Sequence, residues 1–204
     1  MVQKKKEWYT ILSPKVFGAN PIGETVSDMP KKVIGRIITV NAKELTGDFK
    51  KSHIEIKLLI INIEGTNAIT EIKGYSVTRP YLSRFLHKGM DTLDVVHDLK
   101  TSDNHSVRIK CMATIGTKIQ AEKKKLLRQR FKVELNRIMT GMTLDNLVFI
   151  ASTNKIQKEI GNNLKKTYPL RFVEIKKIQL LARNTEKPAE KEIKIENLPV
   201  EEKK

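Results

Sequence analysis

The chain has 204 residues, of which 39% are hydrophobic, and it carries 39 Lys and Arg against 23 Asp and Glu, a formal net charge of +16. A field of this sign attracts polyanions, and nucleic acid is the commonest of them. Apolar runs such as residues 58–61 are well short of the ~18 residues that a membrane-spanning helix needs, so we expect no membrane partner.

Residues 1–32 are predicted to form a basic, irregular N-terminal arm, because proline and glycine recur along them and interrupt helices and regular ladders. Lys4, Lys5 and Lys6 precede two adjacent aromatic residues, Trp8 and Tyr9. Such an arm can lie on RNA, with the lysines on phosphates and the rings on bases or sugars. The alternative is that both rings pack on the protein's own core.

Residues 33–116 have the pattern of a β-barrel-like domain. Strands are predicted at residues 33–40, 53–63, 68–73, 93–99 and 107–115, from β-branched runs and period-two alternation between short turns. A short helix from Arg79 to His87 is predicted between them, with Thr78 as its cap and Pro80 in its first turn. Several strands joined by short turns are typical of a curled sheet or a small barrel.

Residues 117–183 change to helical periodicity. A helix is predicted over residues 118–139, a second helix or a strand over 144–151, and another helix from a Thr153 or Asn154 cap through Lys165. A final strand is predicted over residues 172–181 and is expected to join a sheet. The fold class is therefore α+β: a β-barrel-like antiparallel domain, then an α/β portion with two or three helices and a final strand.

Residues 184–204 are predicted to be a disordered or loosely docked tail. They hold six Glu and five Lys and no aromatic residue, a net charge of −1. The total of +16 less this −1 leaves +17 on residues 1–183. The basic surface is therefore expected on the folded body and the N-terminal arm.

The densest basic segment is the predicted helix at residues 118–137, which has eight basic residues and only two acids, Glu122 and Glu134. A helix face that needs only solubility usually interleaves acids with its bases for mutual support. Because acids are scarce here, contact between the helix and RNA phosphates is favoured. Such contacts position a protein on the nucleic acid and do not read its bases. The alternative is a solvated basic face without a ligand.

No catalytic or metal-binding constellation is found in the sequence, so we expect no enzyme activity, cofactor, metal or small-molecule substrate. The four histidines have no metal-type spacing, and Cys111, the only cysteine, lies mid-strand where inert burial is favoured. One cysteine also excludes an internal disulfide and fits a reduced, cytoplasmic setting. Asp94 and Asp98 share a strand face, but nearby bases offer them simple ion pairs.

An ordered set of short motifs resembles one known family. The segments are Lys5-Lys6-Glu7-Trp8-Tyr9, Ile22-Gly23-Glu24-Thr25, Gly35-Arg36, Gly65-Thr66-Asn67, Gly74, Thr78-Arg79, Asp98-Leu99-Lys100-Thr101, Ile160-Gly161 and Tyr168-Pro169-Leu170. In this order they are similar to the S-three-A-e family of small-subunit ribosomal proteins of archaea and eukaryotes, over about residues 4–183. The compact length and near-neutral tail suggest an archaeal member. Pro80 departs from the family pattern, which often has an acid there, and affects only local contacts.

The resemblance implies a β-barrel-like domain joined to an α/β portion. It also implies a place on the platform of the small ribosomal subunit, near the messenger exit and the 3′ end of the small-subunit RNA. The partners implied are that RNA and neighbouring ribosomal proteins, in the cytoplasm.

The expected function is that of a structural constituent of the small ribosomal subunit, acting in translation by neutralising folded rRNA. The expected RNA-binding residues are Lys4, Lys5, Lys6, Trp8, Lys31, Lys32, Arg36, Arg79, Lys123, Lys124, Lys125, Arg128, Arg130 and Arg137. One alternative is a free RNA-binding regulator or RNA chaperone. The other, a nucleic-acid-processing enzyme, needs a carboxylate cluster or a nucleophile–base pair that the sequence does not supply.

Overall fold

The computed structural model describes residues 6–165 and 168–182. The predicted tail, 184–204, lies outside them. The described residues form eight strands: β1 (Glu7–Leu12), β2 (Pro21–Ser27), β3 (Ile37–Asn41), β4 (Ile54–Glu64), β5 (Asn67–Val77), β6 (Asp91–Lys100), β7 (Ser106–Ile115) and β8 (Leu170–Ala182). They also form five α-helices: α1 (Ala42–Thr46), α2 (Arg79–Ser83), α3 (Ala121–Met139), α4 (Leu144–Ser152) and α5 (Lys155–Lys165).

All eight strands belong to one mixed sheet, in which the main path runs β2-β1-β5-β8-β7-β6 and β3 and β4 extend from β5. Only the pairing of β1 with β5 is parallel; the others are antiparallel. The path does not close on itself within the described residues. The α+β class, with a barrel-like sheet, helices and a final strand, is confirmed.

Strand β5 is the branch point of the sheet. Its first residues, from Asn67 to Ile69, pair with β1, and Gly74 to Ser76 pair with β8. Strand β4 occupies its other edge along most of its length. A Cβ atom on Gly74 would lie 2.9 Å from the carbonyl oxygen of Ile178 on β8. Glycine is required here because the two backbones approach too closely for a side chain.

The prediction of an irregular arm over residues 1–32 is wrong where the structure describes it, because β1 and β2 are strands. Pro21 is the first residue of β2, an outer strand of the sheet path, where a missing N–H breaks no ladder. Tyr9 and Ile11 alternate inward and are buried in a small second core with Val33, Ile60 and Ala68. Pairing with β5, which is distant in sequence, therefore stabilises a segment whose local composition favours turns.

Two other predictions need correction. The strand predicted at residues 33–40 begins only at Ile37, because Gly35 adopts a φ of +90° in a turn. The helix predicted from Arg79 to His87 ends at Ser83, and Thr78 makes no side-chain capping bond. The remaining predicted strands and helices are found, and residues 144–151, left open between helix and strand, lie in α4.

The long helices share one core with the sheet. Helix α3 packs against β6 and α5, α5 packs against β8, and α4 packs against α5 and β5. Phe131 and Leu135 of α3 are completely buried. Burying side chains of this size contributes roughly 1.5–3 kcal/mol each. Strand β8, which follows the helices, returns to lie between β5 and β7.

Candidate nucleic-acid interface

Helix α3 is held on the body by one apolar row. Leu127, Phe131 and Leu135 recur every four residues, which places them on one face of the helix, and all three are buried. Ile138 and Met139 continue that face. The opposite two-thirds of the helix surface is therefore open to solvent, and the sequence places most of its basic residues there.

The exposed basic residues of α3 lie on two flanks. Lys125, Arg128 and Lys132 are separated by three and four residues, so they form one row. Asn136 follows Lys132 by four residues, and its Oδ1 lies 2.7 Å from Nε2 of His97 on β6. This row therefore lies on the β6 side of the helix. We call it the β6 flank.

The second row consists of Lys123, Arg130 and Arg137, which are spaced by seven residues, or two helical turns. Arg137 donates a hydrogen bond of 3.1 Å to Glu159 on α5, so this row lies on the α5 side. Between the two rows stand Leu126 and Val133, which are 49% and 64% exposed. The basic surface of α3 is thus divided by a short apolar ridge.

Two of the predicted contacts on α3 already have partners within the protein. Lys124 is half-buried and forms an ion pair with Asp91 at the start of β6. The hydrogen bond from Lys124, helped by the backbone N–H of Ile119, lowers the pKa of Asp91. Arg137 pairs with both Glu134 and Glu159. Both cations position α3 on the body, so less of their charge is available to a ligand.

Three of the other predicted cations of α3 are better placed for an external anion. Lys123, Lys125 and Arg128 are exposed and form no ion pair within the described residues. Lys132 is equally exposed, and it was not among the expected RNA-binding residues. The sequence could have indicated Lys132 as an RNA-binding residue, because it follows Arg128 by four residues and that spacing puts both on the β6 flank.

The Trp8–Tyr9 pair is split between solvent and core. Strand alternation turns Tyr9 inward, where it is 2% exposed, and leaves Trp8 64% exposed. The alternative that the rings pack on the protein's own core is therefore correct for Tyr9 only. The indole of Trp8 faces solvent beside Val26, its neighbour on β2. Lys6 is exposed just before β1. Lys4 and Lys5 lie outside the described residues.

The turn after β2 brings three more predicted residues towards Trp8. Arg36 donates hydrogen bonds to Oγ1 of Thr25 (2.6 Å) and to the carbonyl of Val26 (3.1 Å), and its Nε donates to the carbonyl of Lys32 (3.1 Å). Arg36 therefore ties the turn to β2. Lys31 and Lys32 are exposed on the same turn. The Trp8 patch consists of Trp8, Val26, Lys31, Lys32 and Arg36.

The structure does not bring all the predicted residues together. Strands β2 and β1 are at one end of the main sheet path, and β6, which carries α3, is at the other. The Trp8 patch and α3 are therefore two separate basic surfaces. Arg79 is exposed at the start of α2 and belongs to neither.

Asp94 and Asp98, the two acids that share a strand face, are engaged in ion pairs. Asp98 accepts two hydrogen bonds of 2.7 Å from Arg108, which lower the pKa of that carboxyl, and Asp94 accepts one of 2.8 Å from Lys176. Burial raises the pKa of the Cys111 thiol well above its usual range. Over residues 6–165 and 168–182, no group of three or more His, Cys, Asp and Glu side chains is arranged to hold a metal ion.

Neither described part of the chain contains a helix that is long and apolar enough to cross a membrane.

Comparison with known proteins agrees with the motif resemblance. The model of the ribosomal S3Ae family matches residues 2–184. The small ribosomal subunit protein eS1 of Methanothermobacter thermautotrophicus is 34% identical over 178 residues, 87% of this chain and 91% of that protein. The protein of the same name from Desulfurococcus amylolyticus is 32% identical over 178 residues, 87% of this chain and 84% of that protein. These relatives are archaeal, as expected, and the chain belongs to the ribosomal S3Ae family.

Proposed function

We propose that this protein is a structural, non-catalytic constituent of the small ribosomal subunit and binds small-subunit rRNA. The observation that carries the proposal is the exposed, unpaired row of cations on the β6 flank of α3, together with Lys123 on the other flank. Membership of the ribosomal S3Ae family supports it. The relatives' shared name, small ribosomal subunit protein eS1, points to the same particle.

The mechanism is electrostatic and architectural. Exposed Lys and Arg on a rigid helix neutralise phosphates and release condensed counterions, which supplies affinity without reading bases. The ion pairs of Lys124 and Arg137 fix the helix on the body, so the remaining cations are held in one geometry. The Trp8 patch adds an indole ring that can stack on a base or sugar at the other end of the sheet.

We infer the location of the protein from its family. We place the protein in the cytoplasm, on the platform of the small subunit near the messenger exit, with rRNA and neighbouring ribosomal proteins as partners. We also propose the functional division of the chain as an arm (1–32), a barrel-like domain (33–116), a helical portion (117–183) and a tail (184–204). In this division β1 and β2 belong to the first segment.

Incorporation into ribosomes tests the proposal. A tagged triple variant, Lys123→Glu, Lys125→Glu and Arg128→Glu, is expressed in an archaeal host and followed through a sucrose gradient. It avoids Lys124 and Arg137, so no structural ion pair is lost. We expect wild-type protein in the small-subunit fractions and several-fold less of the variant there, because the three substitutions change the charge of this surface from +3 to −3 and its acids repel the phosphates.

The matched control carries the same change of charge at Lys57, Lys88 and Lys100, which are exposed and lie on neither basic surface. It is expected to incorporate as wild type does. Equal incorporation of the α3 variant would count against α3 as the RNA contact. Wild-type protein that stays in the light fractions at physiological salt would favour a free RNA-binding regulator or chaperone.

A further inference from the structure

A second feature that could bind RNA lies away from both basic surfaces. A recess of about 250 Å³ opens between α5, β8 and α2, with Tyr81 and Phe172 among its walls. Sites for drug-sized ligands usually occupy 300–1,000 Å³, so this recess suits a single ring system. Lys158, Lys165 and Arg171 stand at its margin and are exposed.

The aromatic walls are held in place by stacking. The ring of Tyr81 stacks on His53 with centroids 3.7 Å apart, and Phe172 stacks on Phe85 at 3.6 Å. Tyr81 and Phe172 meet edge to face at 6.5 Å. Tyr81 and Phe172 are only partly buried, so each keeps some surface towards the recess. Rings fixed in this way are preorganised for an additional planar group.

Gln157, one of the residues that line the recess, has a side-chain acceptor without a donor. Gln157 is 4% exposed, and its Nε2 donates to Glu174, to Asn154 and to the carbonyl of Ala151. Its Oε1 is buried and accepts no hydrogen bond from the described residues. A buried acceptor left unmatched costs free energy. A ligand that offers a donor at this point would remove that cost.

Gly161 keeps the recess open. It lies inside α5, where glycine is a poor helix former. A Cβ atom there would meet Val173 at 3.8 Å, an ordinary contact, so packing within the protein does not require glycine. Gly161 and Val173 both line the recess. A side chain at position 161 would therefore occupy space that a ligand could use.

We propose that this recess binds one unstacked nucleotide of RNA. The base lies against Tyr81 and Phe172, an amino group on the base donates to Oε1 of Gln157, and the adjoining phosphate meets Lys158, Lys165 or Arg171. Unpaired bases are recognised in this way, by aromatic stacking and hydrogen bonds to their edges. The inference rests on the proposed RNA binding. It favours adenine, which presents an exocyclic amino group, over uracil, whose single donor, N3–H, lies between two carbonyl oxygens that the acceptor would repel.

Binding of short RNAs to the full-length protein tests the inference. Fluorescence anisotropy compares six-nucleotide poly(A) and poly(U) strands, with free AMP as a competitor. A buried acceptor that is left unmatched weakens binding by roughly 5- to 150-fold relative to one that receives a hydrogen bond, so we expect poly(A) to bind at least about 5-fold tighter than poly(U). Phosphate contacts on the other basic surfaces are common to both strands and cancel in this ratio. The comparison is made in the Trp8→Ala variant as well, so that any preference caused by stacking on Trp8 is removed.

Substitutions at two positions locate the effect. Gly161→Leu fills the recess and is expected to abolish the preference for poly(A); Gly161→Ala, a smaller change that fits the fold, is expected to weaken it. Lys158→Glu is expected to weaken poly(A) binding about 10-fold, the loss of one close phosphate contact. Lys155→Glu, on the same helix but outside the recess, is the matched control and should bind as wild type does.

The outcomes separate this inference from the proposed function. If the ratio of poly(A) affinity to poly(U) affinity is unchanged in both Gly161 variants, the proposal that the recess binds a nucleotide is wrong, even if the wild-type protein still enters the small subunit. AMP that binds more tightly than poly(A) would overturn RNA as the source of the nucleotide. If wild-type protein fails to enter the small subunit but still prefers poly(A) to poly(U), the result contradicts the proposed function and leaves the inference about the recess standing.

Discussion

Gly74 shows what a single missing side chain does for this sheet. It lies in β5, where β4 pairs on one edge and β8 on the other. A Cβ atom at this position would come within 2.9 Å of the carbonyl oxygen of Ile178, which is backbone and cannot move aside as a side chain can. Strand β8 reaches β5 only because position 74 has no side chain.

We therefore expect Gly74→Ala to destabilise the protein. Overpacking against a fixed backbone typically costs about 1–3 kcal/mol, and the loss should be visible as a lower urea midpoint. Gly23→Ala is the matched control, because Gly23 also lies in a strand and a Cβ there meets nothing within 4 Å. A Gly74→Ala midpoint no lower than that of Gly23→Ala would contradict this account of the β5–β8 contact.

Helix α3 combines a structural face with a charged one. Leu127 is 3% exposed and belongs to the core, whereas Leu126, its neighbour in sequence, is 49% exposed on the ridge between the basic flanks. One residue therefore decides whether a leucine stabilises the fold or faces a partner. The orientation of every cation on α3 depends on this register.

The register can be checked with two alanine substitutions. Leu127→Ala is expected to lower the free energy of unfolding by about 2–5 kcal/mol, as is usual for a buried leucine. Leu126→Ala should change it by no more than about 0.5 kcal/mol, as is usual for an exposed position. Urea denaturation of the two variants gives both values. Similar losses in the two would mean that α3 is rotated from the orientation described.

The long helices and most of the strands were predictable because their signals are local. The period-two alternation of β6 and β7 and the four-residue spacing in α5 each identify an element without knowledge of its neighbours. Strands β1 and β2 were missed because β1 depends on a parallel pairing with β5, more than fifty residues away. The alternation of Tyr9 and Ile11 was present, but prolines and glycines on both sides obscured it.

The candidate sites were predictable to a similar extent. Features that depend on residues close in sequence could be predicted, and features that depend on contacts between elements could not. The basic character of α3 is evident from composition, since its cations are close in sequence. The partners that engage Lys124 and Arg137 come from β6 and α5 and could not be predicted from α3 alone. The recess was invisible in the sequence for the same reason. Its walls and margin come from α2, α5 and β8, and only the folded chain brings Tyr81, Gln157 and Phe172 together.

Over the part of the molecule that the structure describes, the two basic surfaces lie at opposite ends of the main sheet path. One end has the cations of α3, and the other has the Trp8 patch. The first surface offers charge, and the second adds an exposed aromatic ring. Two surfaces of different chemistry should respond differently to salt, since screening weakens phosphate contacts much more than stacking.

The salt dependence of rRNA binding separates these two contributions. The logarithm of the association constant falls linearly with the logarithm of salt concentration, by about 0.7–0.9 for each phosphate contact. Replacing Lys123, Lys125 and Arg128 by Glu should therefore reduce the magnitude of the slope by about 2–3. Trp8→Ala should lower affinity by a similar factor at every salt concentration and leave the slope unchanged, because stacking releases no counterions. Filter binding to transcribed small-subunit rRNA between about 50 and 200 mM salt measures both. An unchanged slope in the triple variant would show that α3 does not contact phosphates, and a changed slope for Trp8→Ala would show that its loss disturbs the cations around it.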